Sequence, residues 1–363
     1  MKLKRILTVI LTISIIVTSF SSVVQVSAQT EEASNQAAQV TAVEDGSVQT
    51  AARPTEPIKK FIISSEDAFS VFMNNPVFWK SNYKVTLARD IDMEGKAFNS
   101  IKEFGGVFDG CGHIISNLKI QNKSAKDKNA EISFTNTLNE NAEIKNVTFD
   151  NYTIEGNSGI KKAAGLVVTN YGTILDVDVI NGSINNINKK ANAAGYVLNN
   201  EEDGVIENCH IGNISAKDAN IKSGFVGTNL GKITKCSTAV SVNSKDIAGG
   251  FCGSNLGEIN DCKAEGMVKA TVKKGITVCG GFIADNSGMI KNCSSKGNVE
   301  GQEFTGGFAG INNDKGEISS CKATCDVKSH TYIASINCGG FVGLDAGKIE
   351  NCCFDGKVDG CVD

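Results

Sequence analysis

The 363-residue chain is poor in the side chains that enzymes and nucleic-acid binders lean on: three histidines, one tryptophan, five tyrosines and no excess of Lys and Arg. Few histidines mean few general bases and few soft-metal ligands. The three are His113, His210 and His330. His113 lies in a turn-like segment, and His210 directly follows Cys209 and is expected to face outward. No His-Glu-x-x-His, no Gly-x-Ser-x-Gly and no phosphate-binding glycine loop occurs. The formal net charge of −4 makes nucleic acid a poor partner, because that surface demands clustered Lys and Arg. Proline is scarce too. Pro54, Pro57 and Pro76 are the only three against 38 glycines, a balance that suits many short strands joined by tight turns.

Long apolar runs are also lacking, with one exception. Met1-Lys2-Leu3-Lys4-Arg5 precedes an uncharged run over residues 6–20, and Val26-Ser27-Ala28 follows. This pattern predicts a secretory signal peptide over residues 1–28, cut after Ala28. The run falls short of the ~20 residues that span a bilayer, so a retained anchor is the weaker alternative. No Cys follows the run directly, which argues against a lipoprotein. The expected address is therefore secreted or cell surface. Cleavage would remove Lys2, Lys4 and Arg5 and no acid, taking the net charge to about −7. Residues 29–59 show no apolar period and are expected to be a disordered linker.

What is abundant is repetition. The chain reads Ala-Gly-Gly-Phe-Cys-Gly-Ser-Asn-Leu-Gly-Glu-Ile-Asn-Asp-Cys over 248–262, and close variants stand at 279–293 and 338–352. Seven copies anchor on Gly165, Gly195, Gly224, Gly250, Gly281, Gly307 and Gly340, 26 to 33 residues apart. An apolar residue follows each anchor (Leu166, Tyr196, Phe225, Phe251, Phe282, Phe308, Phe341). Four positions on stands Asn170, Asn200, Asn229, Asn255, Asn286, Asn312 or Asp345. A Gly-x-Ile unit then leads to Val177, Cys209, Cys236, Cys262, Cys293, Cys321 or Cys352. Copies two and six carry two extra residues before the Ile, so insertions fall at one corner.

Three short strands per period, with no 3.6-residue apolar spacing, predict an all-β fold: a right-handed, three-sided parallel β-helix. Equivalent side chains would stack at ~4.8 Å, with Phe, Ile and Cys inside and Asn at a corner. Gly and Asn are expected at corners because both tolerate positive φ, and the Asn amide can also hydrogen-bond along the ladder. Residues 163–363 are read as the seven repeat coils and residues 60–162 as a cap with the first coils. In that first part Ser64-Ser65-Glu66-Asp67 predicts a capped helix running to about Asn74, closing the open end. A strand is expected over Tyr83-Lys84-Val85-Thr86-Leu87, and a degenerate coil over 131–156.

The phrase Gly-Gly-Phe-x-Gly-x-Asn-x-Gly-x-Ile-x-Asn-Cys resembles the GLUG motif of bacterial secreted and surface proteins, some of them IgA-cleaving peptidases. Gly106-Val107-Phe108-Asp109-Gly110-Cys111-Gly112 resembles the segment that precedes such repeats in pectate-lyase-like β-helices, where Asn usually occupies the place of Cys111. The zinc-peptidase motif of some relatives is missing from this chain.

Thirteen cysteines in an exported chain would ordinarily suggest a disulfide framework. Six of them share a ladder position that Val177 also fills, so they are expected to be free, buried and apolar in role. Cys111, Cys252, Cys279, Cys325, Cys338, Cys353 and Cys361 follow no such pattern. The site search returns no catalytic, metal or cofactor-binding residues. Asp90, Asp92 and Asp109 are the only acids near a family-like motif, and turn roles account for them; Asp/Asn corners suit Ca²⁺ in principle. The chain is read as a non-enzymatic scaffold, adhesin-like, binding an extracellular glycan or a host or cell-surface protein. The variable loops 185–190 and 329–333 are the expected contact region. A ligand-free spacer and a polysaccharide-degrading enzyme are the alternatives, and the shortage of aromatic residues (Trp79 lies outside the repeats) weakens a sugar platform.

An open last coil predicts fraying or self-association, with Cys353 and Cys361 available to cross-link two chains. Non-reducing gels should then show a dimer that reduction removes. A monomer by light scattering, with strong amide protection over 338–360, would rule out both fraying and association.

Overall fold

In the computed structural model the described residues are 58–122, 130–217, 221–270, 276–330 and 337–360, all within one unit, Pro57–Asp363. The leader and linker expectations for residues 1–57 lie outside them. So does Cys361. The unit is a right-handed three-sided parallel β-helix closed at its first coil by one α-helix. One side is a nine-stranded sheet running from Ile101–Phe104 to Val342–Asp345.

Each coil holds more segments than the three strands read from the pattern. Copy four runs through Cys252–Asn255, Glu258–Asn260, Lys263–Glu265, Val268–Ala270 and Val278–Gly280. The extra breaks come from left-handed residues. Asp261 (φ 56°) and Gly266 (φ 127°) bend the run from 258 to 270 into three facets. The same left-handed bend recurs before the Cys position at Asn208, Lys235, Asn292, Ser320 and Asn351. Cys111 is left-handed as well (φ 55°).

The repeating corner asparagines are not positive-φ residues, which corrects one part of the expectation, while the other part, amide hydrogen bonding along the ladder, holds. Asn170, Asn200, Asn229, Asn255, Asn286 and Asn312 are fully buried and lie outside the left-handed region. Their amides form a continuous hydrogen-bonded chain. Asn170 Nδ2 donates to Asn200 Oδ1 at 2.7 Å, and the same bond links each next pair at 2.8 to 2.9 Å, ending on the Asp345 carboxylate at 2.8 Å. A buried amide left unpaired would cost about 2 kcal/mol or more, so every member depends on its neighbours.

The anchor glycines also serve a different purpose from the one expected. A Cβ on Gly195 would overlap the Gly224 carbonyl oxygen, and one on Gly250 would overlap that of Gly281. The same holds for each next pair down to Gly307 and Gly340. Close approach of successive backbones requires glycine here, and φ does not.

Inside, the apolar ladders follow the expected register. Ile144 pairs with Ile174, Ile174 with Ile206, Ile206 with Ile233 and Ile233 with Ile259. The ladder continues towards the N-terminus through Phe108, Val85 and Phe61. Tyr196, Phe225, Phe251, Phe282, Phe308 and Phe341 stack with ring centroids 4.6 to 4.9 Å apart. Each fully buried ring contributes about 1.5–3 kcal/mol by leaving water.

At the first coil the core would otherwise meet water. The helix α1 (Glu66–Asn74) starts at Ser65, whose hydroxyl accepts the Ala68 N–H at 3.2 Å. Its apolar face inserts Phe69, Phe72 and Met73, and Phe72 packs on Phe108 with ring centroids 5.4 Å apart. Trp79 belongs to this plug, donating its indole N–H to the Phe72 carbonyl at 2.9 Å. The strand Tyr83–Leu87 forms as read from the pattern, and the 131–156 segment is a coil with strands at Ala130–Ile132, Thr135–Leu138, Glu143–Asp150 and Thr153–Glu155.

The six ladder cysteines are free; five are buried and Cys352, in the last coil, is half-buried. Their role exceeds that of a small apolar group. Cys262 Sγ lies 3.1 Å from the Asn260 carbonyl, to which it can donate, and it accepts the Cys236 N–H at 3.4 Å. Cys293 and Cys321 repeat this arrangement. The left-handed bend removes these N–H groups from regular strand pairing, and sulfur takes them up. Burial pushes the Cys209, Cys236 and Cys262 thiols well above the ordinary thiol range, which keeps them inert. Where Val177 replaces Cys, the Tyr196 hydroxyl donates to the Val177 carbonyl at 2.9 Å.

These contacts separate two conservative substitutions. Cys262→Val should cost about 1–2 kcal/mol despite its similar volume, because the Cys236 N–H loses its acceptor. Tyr152→Phe should be neutral or stabilising, because the buried Tyr152 hydroxyl has no partner among the described residues. Guanidinium unfolding of both variants beside the wild type measures the difference.

Candidate functional site

Of the acids and histidines singled out in the sequence, Asp90 and His113 come together and the rest stand apart. Asp90 Oδ1 accepts the Ile114 N–H and meets His113 Nδ1, each at 3.0 Å. Those bonds, the backbone one first, hold its carboxyl below the ordinary range. Asp92 Oδ1 accepts Asn117 Nδ2 at 2.7 Å and the Glu94 N–H at 2.9 Å. Asp109 is nearly buried, and burial alone would raise it. The Asn146 amide, the Cys111 N–H and Lys84 at 3.1 Å outweigh that and keep it ionised. Asp92 and Asp109 close turns and Asp90 bridges two coils; all three are held ionised, so none is poised as a general acid. A shallow hollow of about 540 Å³ lies beside Asp109, Cys111 and Asp176.

Sheet register brings together one trio that the motif search did not consider. Asp178, His210 and Ser237 are successive partners on adjacent coils, and His210 Nδ1 lies 2.9 Å from Ser237 Oγ. Asp178 spends its carboxylate on the His210 backbone N–H at 3.1 Å, so the imidazole lacks the orienting acid that a nucleophile relay requires. The signal was present in the sequence, as each of the three follows a Cys-ladder position. His330 Nε2 stands 3.5 Å from Glu300 Oε2.

Of the two loops expected to carry binding, 185–190 is a tight turn in which Asn188 accepts the Lys190 N–H at 2.9 Å and donates to the Ser158 carbonyl at 2.7 Å. In the other, residues 331–333 lie outside the described residues.

A second depression sits at the asparagine corner. The insertions of copies two and six end in turns closed by Gly204 N–H to Glu201 O (2.9 Å) and Gly316 N–H to Asn313 O (2.8 Å). Between them the three uninterrupted copies leave a trough of about 570 Å³, walled by Glu202 at one end and Lys315 at the other. Its floor is Gly231, Gly257 and Gly288. A Cβ on Gly257 would overlap the Gly231 carbonyl, and one on Gly288 that of Gly257, so the packing that stacks the coils keeps the floor open. Leu230 and Leu256 line one edge; Lys232, Glu258 and Met289 line the other. Leu256 is 51% exposed and Met289 48%, a notable outlay of apolar surface in a chain whose other apolar ladders are inside. The sequence clue was the pair of insertions.

The copy-six wall is fastened from below. Asn313 donates its amide both to Asp285 Oδ1 and, at 3.0 Å, to Ser287 Oγ. Burial pushes the Asp285 carboxyl up from 3.8 to about 6, and the bond from Asn313 only partly offsets this. Among the described residues no group of three His, Cys, Asp or Glu is arranged to hold a metal ion.

No family model and no curated protein matches the chain. Among solved structures it is similar to one named as a "putative immunoglobulin A1 protease" from Bacteroides ovatus, with 21% identity and a TM-score of 0.41, over 83% of this chain and 77% of that one.

The Asp285 carboxyl gives a pH signature of definite sign. Its folded-state value lies above the unfolded one, so the folded state holds the proton more tightly. Its contribution is most favourable below about pH 4 and is lost as pH rises to about 6. The loss is about 3 kcal/mol at the usual 1.4 kcal/mol per tenfold change in proton affinity. Asp285→Asn keeps an acceptor for Asn313, and should flatten that segment of the stability–pH curve and raise stability at pH 7. Thermal unfolding from pH 4 to 7 for both proteins checks it.

Proposed function

We propose that the chain is a secreted or cell-surface β-solenoid scaffold of the GLUG-repeat kind, binding an extracellular glycan or protein in adhesin fashion through the corner trough. The observation that carries this reading is the trough itself: a glycine floor that no side chain can fill, apolar edges open to solvent, and an insertion at each end. The recurring polar groups are consumed within the stack, the asparagine amides on one another and the cysteine sulfurs on backbone groups. Recognition is left to residues that do not repeat. The Cys338 disulfide fits an oxidising address, and the leader-like residues 1–28 support the same one. Three carboxylates committed to turns and a cross-coil bond speak for a non-enzymatic role over a polysaccharide-degrading one. The competing reading is a spacer without a ligand, favoured by how completely the ladders satisfy themselves.

Culture fractionation should place the protein in the medium or on the cell surface. The full chain, screened against glycans and matrix proteins, should retain at least one ligand. Leu256→Asp with Met289→Lys should weaken that ligand about tenfold or more while leaving the unfolding midpoint unchanged, because both side chains are half in water. A full chain that binds nothing while staying cell-associated establishes the spacer.

A further inference from the structure

We infer that the trough takes an extended segment of a protein chain about six residues long, aliphatic in its middle and carrying opposite charges at its two ends. The inference rests on the reading of the trough as a binding site and goes on to name its occupant.

Length comes first. The walls belong to copies two and six, four coil steps apart, and at ~4.8 Å per step that is roughly 19 Å. An extended peptide covers this span with about six residues at ~3.3 Å each.

Chemistry narrows the class. The lining has no aromatic ring, so a sugar would find no flat apolar platform to stack on. The floor offers few free polar groups to a ring of hydroxyls. Gly231 O already accepts the Glu258 N–H, Gly257 O the Met289 N–H and Gly288 O the Glu317 N–H, each at 2.9 Å. The uncharged edge residues are the aliphatic Leu230, Leu256 and Met289, with Ser287 already accepting from the Asn313 amide. Those side chains gain by covering Leu-, Ile- or Val-sized groups.

The charges fix the ends. Lys232 and Glu258 are register partners on neighbouring strands and offset each other. Glu202 and Lys315 are exposed on their insertions, and neither has an ion-pair partner among the described residues. A basic group suits the Glu202 end and an acidic group the Lys315 end. Backbone direction stays free, since an opposite pair of end charges fits whichever way the segment runs.

The test uses the full chain against displayed hexapeptides of random sequence and, in parallel, an oligosaccharide array. The wild type should select peptides with aliphatic residues centrally, a base at one end and an acid at the other. Leu256→Asp should lower affinity for the selected peptides about tenfold. Each end charge should be worth about threefold, and its reversal should change what is chosen. Glu202→Lys should select peptides acidic at both ends, and Lys315→Glu peptides basic at both ends. Selections that ignore both reversals overturn the proposal. Oligosaccharide binding that Leu256→Asp abolishes keeps the trough as the site and overturns the peptide. If neither library binds, the binding reading falls with it.

Discussion

Everything in this molecule depends on how closely one coil lies on the next. At the anchor glycines the backbone of each coil approaches the carbonyls of the next so nearly that a methyl group has no room. That approach holds the aromatic rings at 4.6 to 4.9 Å and lets one asparagine amide reach the next at 2.7 to 2.9 Å. Widen the spacing by an ångström and the amide chain breaks, leaving buried polar groups whose desolvation nothing offsets. Stacking, amide chain and glycine pattern are one constraint seen from three positions in the coil.

The same constraint accounts for the cysteines. A coil that must turn within two or three residues uses a left-handed residue before the Cys position, and this takes a backbone N–H out of strand pairing. Sulfur is large enough to bridge the gap and weak enough as a hydrogen-bonding group to be buried cheaply. Valine fills the volume without offering an acceptor, and at Val177 the Tyr196 hydroxyl donates to the residue's own carbonyl. The six ladder cysteines therefore serve the stack as free thiols, whereas Cys338 is in a disulfide.

For function, the consequence is a division of labour. Residues that repeat are spent on holding the stack, so recognition falls to positions where the repeat is interrupted. The insertions in copies two and six interrupt it at the same corner, and the glycine floor between them is a by-product of stacking. Asp109, Asp92 and Asp90 looked like chemistry in the sequence because they cluster near one motif. In three dimensions Asp109 and Asp92 each close their own turn, and Asp90 ties its coil to the next at Ile114 and His113.

The period, the parallel register of Ile on Ile and Phe on Phe, and the helix at Ser65 were legible in the sequence, because stacking forces equivalent positions to carry equivalent side chains. A capping serine followed by an amphipathic turn is likewise a local signal. The sequence did not separate a glycine needed for left-handed φ from one needed for close approach, since both leave the same letter. Nor did it show which asparagine bends the chain. Asn208 and Asn200 look alike in the repeat, yet one is left-handed at a bend and the other lies buried in the amide chain. The trough at Glu202 and Lys315 was beyond it as well. Two insertions more than a hundred residues apart in the chain share a site only after three coils are stacked between them, and that proximity is a property of the fold alone.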